Sequence, residues 1–267
     1  MRSKLVILFV FFFWSQLTFS QHIEHVKTIE LDFTVSAVSS DHLGNLYLGS
    51  SNGEIIVYDS TGALSKSFFL SNQGSIHSIT AWNPLRIFAF SRDMQSFWFL
   101  ERFAADPRSY DANTLSRSFL LEMTPGQDHS FWLLESNGNN LKKINESTRS
   151  SMVNVPLINL GISTPVQFVS YKNVLVILDE NSLVSVIDAF GNILYQIPDQ
   201  QIQSIQLWEN RLLYALKNEI HTVDMYKKTP GNVITFPGDI KKFQRISNKL
   251  FYQIETKKIK LFRYIDR

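Results

Sequence analysis

The chain has 267 residues, 44% hydrophobic and 13% aromatic, with a formal net charge of +2. Disorder requires low hydrophobicity with high net charge, so a folded chain is expected. The absence of cysteine excludes disulfides, thiolate metal sites, a cysteine nucleophile and a lipid anchor on a processed N-terminal cysteine, and the near-neutral balance argues against nucleic acid, which calls for a basic stripe.

Residues 1–20 read as an export leader: Arg2 and Lys4 form a positive start, Leu5 to Trp14 an uncharged apolar run, and Thr18 and Ser20 are small residues before Gln21. A membrane span needs roughly 20 apolar residues. This run is shorter and is followed by polar Ser15 and Gln16, so cleavage before Gln21 is expected, with no transmembrane span left. Losing Arg2 and Lys4 takes the net charge from +2 to 0. The expected location is the periplasm or the outer membrane's periphery. A glutamine just after the cleavage point resembles exported proteins of the Bacteroidota.

Further along, an apolar-x-x-apolar pair recurs six times: Val35/Val38, Ile76/Ile79, a degenerate Ser118/Leu121, Val166/Val169, Ile202/Ile205 and Ile240/Phe243, at intervals of 41, 42, 48, 36 and 38 residues. A period of about 40 residues with about four short strands per unit is the signature of a β-propeller. The first unit shows it most clearly. Strands Val35–Ser39, Leu46–Gly49, Ile55–Tyr58 and Leu64–Leu70 are separated by Asp41–Asn45, Ser51-Asn52-Gly53 and Asp59–Gly62, where Asn-Gly and Thr-Gly supply the positive φ of tight hairpins. In the second and third units Arg86–Phe90, Phe97–Phe103, Phe119–Met123 and Phe131–Leu134 read as strands. The fourth has Val166–Ser170, Val174–Leu178, Leu183–Ile187 and Ile193–Ile197; the fifth has Ile202–Leu207, Leu212–Leu216, Ile220–Val223 and Val233–Phe236. The last unit has only Ile240–Ile246, Leu250–Ile254 and Ile259–Tyr264, while a spare strand sits at about 24–31. Unpaired edges are hazards that closure removes. The expected fold is therefore an all-β, six-bladed propeller over residues 21–267, closed by its N-terminal strand.

Asn45 to Gly53, followed by Val57-Tyr58-Asp59-Ser60-Thr61-Gly62, resembles the repeat of quinoprotein-like and NHL-type propellers; Asp41-x-x-Gly44-Asn45-Leu46-Tyr47 matches the NHL side, and Val184–Asn192 is a fainter copy. The resemblance implies the fold and little about function, because one fold hosts many activities. Quinoprotein dehydrogenases carry a calcium-bound cofactor, and many add a cysteine pair that this chain lacks. Sugar-lactonase relatives hold a central metal with Glu, Asn and Asp. By residue type the candidates here are Glu135, Asn137, Asp179, Glu180 and Asn181, all in expected turns.

Chemistry is sparse. Among the six histidines, His22 and His25 are three apart on a strand and so face opposite sides. There is no Gly-x-Ser-x-Gly elbow, phosphate loop or dinucleotide fingerprint. No catalytic residue, metal or cofactor is expected. Phe97-Trp98-Phe99 and Phe131-Trp132 alternate across a sheet and are expected to fill the space between blades. Trp82 and Trp208 each fall three residues after a repeat marker, at the end of an innermost strand and hence on one rim, where indoles serve as interface anchors. Arg92, Asn137 and Glu180 belong to loops of the opposite face. From Lys227 to Arg267 there are eleven Lys or Arg against Asp239, Glu255 and Asp266, a basic tract on the last unit that suits an acidic partner. The favoured function is a non-enzymatic scaffold of the cell envelope that presents propeller loops to a protein partner, with binding residues Trp82, Trp208, Arg92, Asn137 and Glu180. A metal-dependent lactonase or hydrolase with a channel site, and a glycan-binding module, are the alternatives.

Overall fold

The computed structural model describes residues 22–70, 74–101, 107–198 and 201–265. The expected leader, and the end of the strand expected to reach Phe103, lie outside the described residues. Six four-stranded antiparallel sheets form the blades. Their innermost strands are Val35–Ser40, Ser78–Thr80, Leu120–Pro125, Pro165–Tyr171, Ile202–Trp208 and Phe243–Arg245. The outer strands of blades 2 and 3 that the sequence left open are Arg108–Asp111, Asn140–Asn145 and Ser151–Pro156.

The recurring apolar pair has a geometric cause. In a regular strand, residues three apart face opposite sides. In four innermost strands the pairing register shifts immediately after the first residue, between Val35 and Ala37, Leu120 and Glu122, Pro165 and Gln167, and Ile202 and Ser204. The extra residue of a β-bulge restores the phase, so the first and fourth residues turn the same way. Ile202 and Ile205 accordingly share one cluster. In blades 2 and 6, whose inner strands show no register shift, Ile76 and Ile79 share one cluster and Ile240 and Phe243 another, the first residue of each pair lying ahead of the strand. The same bulges correct the marker in two blades. In blade 3 the aligned pair is Leu120/Met123, not Ser118/Leu121. In blade 4 it is Pro165/Phe168, and Val166 is the bulged residue, 52% exposed.

The core is divided among the joints between blades. Six apolar clusters each combine residues of two neighbouring blades. The alternating aromatics take the expected places. Trp98 packs toward blade 1, whereas Phe97 and Phe99 pack with Phe131 toward blade 3 and Trp132 turns to the joint with blade 4. Gly49 shows how closely neighbours approach: a β-carbon there would lie 2.8 Å from Ile76 of blade 2 and 3.1 Å from Ala37. Strand Leu46–Ser50 therefore has glycine where blade 2's marker residue presses on it.

Blade 6 is composite. Its outermost strand, His22–Glu30, pairs antiparallel with Lys258–Ile265, with Glu30 opposite Lys258, Ile29 opposite Ile259 and one bulge between His25 and Lys27. The ring is closed as expected.

Short hairpins are held by one repeated device. Asp59, Asp188 and Asp224 each accept backbone N–H groups two and three or four residues on, at 2.8 to 3.0 Å, and Asn145 does the same in blade 3. The Thr61 hydroxyl and the Ala63 N–H hold the Asp59 carboxyl below the usual carboxylate range, and the Lys227 and Tyr226 N–H groups do so for Asp224. At Asp188 burial pushes upward, but the amides of Asn192 outweigh it.

Two predictions follow from closure and from these turns. Deleting residues 21–32 removes the outermost strand of blade 6 and uncovers the edge of Lys258–Ile265, and the melting temperature of the truncated protein should fall steeply; an unchanged melting curve would contradict closure by this strand. The turn carboxylates titrate lower folded than unfolded, so their contribution is present above the unfolded value of about 3.9 and is lost as pH falls through the folded value. Asp188→Asn, which cannot titrate, should therefore show a smaller drop in urea midpoint between neutral pH and about pH 3 than the parent protein.

Candidate binding faces and the central channel

The innermost strands run side by side around the axis, so the disc has a face where they begin and a face where they end. The axis itself is narrow and polar. Thr80, Thr124 and Ser170 form a hydroxyl chain across blades 2, 3 and 4 with 3.0 Å links. On the other side Ser40 donates to Gln244 at 2.9 Å, and Gln206 reaches Ser40 at 3.0 Å and the Arg245 carbonyl at 2.9 Å. Blade 5 thereby touches blade 1 across blade 6. The remaining cavity of about 70 Å³ is lined by Ser, Thr, Gln and apolar groups, with no carboxylate. Small-molecule sites occupy roughly 300–1,000 Å³, so this cavity is of a size for water.

Trp82 and Trp208 lie on the face where the inner strands end, as expected from the sequence. Both are half-buried. Trp82 meets Tyr171 edge-on at 6.4 Å between ring centres and its carbonyl receives His42; Trp208 packs into the joint of blades 5 and 6 under the Arg245 guanidinium. Their indole nitrogens are buried and meet no acceptor among the described residues. Neither ring lies open as a sugar platform.

Arg92, Asn137 and Glu180 lie on the opposite face, in the hairpins between the second and third strands of blades 2, 3 and 4. The structure does not bring them together. Asn137 is exposed in a single turn of 3-10 helix, where its carbonyl accepts from Asn140. Glu180 is exposed, and the Ser163 hydroxyl, at 2.6 Å, holds its carboxyl below the usual range. The other candidates by type serve as braces. Glu135 is buried and takes Ser116 and Lys142 at 2.5 and 2.7 Å; Asp179 accepts the amides of Asn181, Leu183 and Ser163.

Arg92 belongs to a cluster that the sequence did not reveal. Its Nε donates to the Leu121 carbonyl at 2.7 Å and its Nη2 to buried Glu122 at 3.1 Å. His77 Nε2 lies 2.6 Å from the same Glu122 oxygen and in contact with Arg92 Nη2. That nitrogen donates to Glu122 when it carries a proton and accepts from Arg92 when it does not. The cluster sits at the mouth of the channel between blades 2 and 3. The signal that could have exposed it is positional: His77 directly follows the Ile76 marker, and Glu122 follows Leu120 across the bulge. Exposed Met94, Phe119, Ile158 and Val166 lie on the same face, in segments where inner strands begin, outer strands end or, for Met94, the second and third strands of blade 2 turn. Among the described residues, no group of three or more His, Asp or Glu is placed to hold a metal ion, and no helix is long and apolar enough to cross a membrane.

No protein-family model matches the chain, and no curated protein matches it by sequence. In structure it is similar to BamB from Moraxella catarrhalis, with a TM-score of 0.50 and 10% identity over 92% of this chain and 99% of that one. It is also similar to the WD40 β-propeller domain of Doa1, with a TM-score of 0.57 and 12% identity over 91% and 97% of the two chains. The chain is a six-bladed β-propeller. Identities this low carry the fold alone.

The cluster predicts coupling. Arg92→Met leaves buried Glu122 with only His77 and should cost about 2–3 kcal/mol in urea unfolding, while Arg92→Met with Glu122→Gln should recover most of the loss. Additive effects would show that the pair does not interact.

Proposed function

We propose that the protein is a non-enzymatic interaction scaffold of the cell envelope, and that its partner-binding face is the one where the innermost strands begin. The observation that carries this is that exposed Met94, Phe119, Ile158 and Val166 share one face of the disc with the Arg92–Glu122–His77 cluster. Apolar side chains on one face with a partly exposed arginine match the composition of protein interface centres. Asn137 and Glu180 then form part of the polar rim. The envelope location rests on the export leader expected in residues 1–20. Kinship with NHL- or quinoprotein-type repeats rests on Asp41–Tyr47, Asn45–Gly53 and Val57–Gly62. The cavity on the axis has no carboxylate lining for a lactonase site, Glu122 at the channel mouth is engaged by Arg92 and His77, and half-buried Trp82 and Trp208 suit packing better than glycan stacking.

The two faces are separable by experiment. Ile158 is 82% exposed; Ile158→Asp and Met94→Asp should keep the parent melting temperature and weaken capture of an envelope partner by about 2 kcal/mol or more, roughly 30-fold. Trp82→Ala and Trp208→Ala should instead lose about 3 kcal/mol of stability through lost burial and the cavity left behind. Full capture by both aspartate variants, with loss of capture by folded tryptophan variants, would move the interface to the other face.

A further inference from the structure

A further cleft lies away from the axis. It lies in blade 6, beside the ring's closure, on the face where the innermost strands begin, and measures about 620 Å³. That is within the range of small-ligand sites. Ahead of this blade's innermost strand, Phe243–Arg245, the segment 237–242 runs along the cleft as irregular chain. Three segments form the walls: 239–242, the hairpin 253–258, and the end of the closing strand from Glu30 to Val35.

The frame is fixed by hydrogen bonds. Gln253 Nε2 donates to the Asp239 carbonyl at 2.8 Å and Ile254 N to the Lys242 carbonyl at 2.9 Å, while Leu31 N and Val35 N reach the carbonyls of Lys257 and Thr256 at 2.8 and 2.9 Å. A cleft built this way is preorganised and costs a ligand little ordering.

Its charges are only partly matched. Glu255 is taken by Lys258 at 3.1 Å and Lys260 at 2.7 Å. Lys241, Lys242 and Lys257 form no ion pair or side-chain hydrogen bond among the described residues, and the carboxylates of Glu30 and Asp239 accept none. Lys242 is exposed overall, and desolvation against the cleft wall holds its ammonium below the usual lysine range. Lys241, Lys257, Glu30, Asp239 and Thr256 are exposed as well, so each can exchange its water for a ligand group. Exposed cations and exposed acceptors line one concave frame together, which suits a ligand bearing both an anion and hydroxyl donors.

We propose that this cleft binds an anionic sugar, its phosphate or carboxylate held by Lys242 with Lys241 and Lys257, and its hydroxyls by Glu30, Asp239 and Thr256. Lysines act on phosphate as point charges, without the fork that arginine offers a carboxylate. Both sources of the anion therefore fit, and the experiment separates them.

The test is calorimetric titration of the purified protein with glucose 6-phosphate, glucuronate, glucose and inorganic phosphate. At least one anionic sugar should bind about tenfold more tightly than both glucose and inorganic phosphate. Binding by glucose 6-phosphate alone assigns a phosphate ester, and binding by glucuronate alone a uronic acid. Lys242→Met should weaken that binding about tenfold and Lys257→Gln about threefold, with melting curves unchanged. If Lys242→Met does not fold, Lys257→Gln and Glu30→Gln decide the matter by the same titration. Anionic sugars that bind no better than glucose or inorganic phosphate overturn the proposal, as does unaltered binding by the folded lysine variants. Neither result bears on the partner face around Arg92, which lies across the ring and is tested by capture.

Discussion

Pairing of His22–Glu30 with Lys258–Ile265 is the constraint on which the rest of the disc depends. The final three strands bury their apolar faces only if blade 6 is complete and seated between blades 5 and 1. The clusters on its two sides, one around Leu46, Tyr252 and Ile259 and the other around Ile220, Phe243 and Phe251, exist because the ring is shut. Every other joint has the same character, so strain or loss at the closure is shared around the circle. Contacts between the two ends of a chain are entropically costly to form. Here they are secured by a long strand pair rather than by a covalent staple, consistent with the absence of cysteine.

In blades 1, 3, 4 and 5 a bulge in the innermost strand sets the relation between sequence and surface. It rotates the first residue of the innermost strand into the same cluster as the fourth, and it leaves one side chain facing out near the channel mouth. In blade 2 the residue after the marker is His77 and in blade 4 it is Val166. In blade 3 Glu122 follows the bulge. One backbone irregularity thus serves packing between blades and also places charged and apolar groups on the face where the strands begin. The other face is assembled from strand ends and tight turns, and its two tryptophans are drawn into packing against Tyr171 and Arg245.

The axis and the rim differ in chemistry for a related reason. Six innermost strands at close quarters leave space for Ser, Thr and Gln side chains, which satisfy one another across blades and fill the channel. Away from the axis, beside the closure of blade 6, a cleft lined by exposed lysines and carboxylates remains. The basic tract of the last unit is therefore divided. Part of it pairs with Glu255, and part lines a concave surface.

The six-fold recurrence, the hairpin residues and the spare N-terminal strand determined the architecture, because strand alternation, positive φ at Asn-Gly and Thr-Gly, and the avoidance of open edges are local or near-local constraints. The inter-blade positions of Trp98, Phe97 and Phe131 were legible for the same reason. The registers of blades 3 and 4 were not, since a bulge shifts phase without a residue of its own to announce it. The pairing of His77 with Glu122, 45 residues apart, and the gathering of Glu30, Asp239 and Lys242 into one cleft were decided by the tertiary structure alone. Charged groups carry no periodicity that marks their partners. Only the circular arrangement of blades, which sets the end of the first strand against the start of the last blade, makes them neighbours.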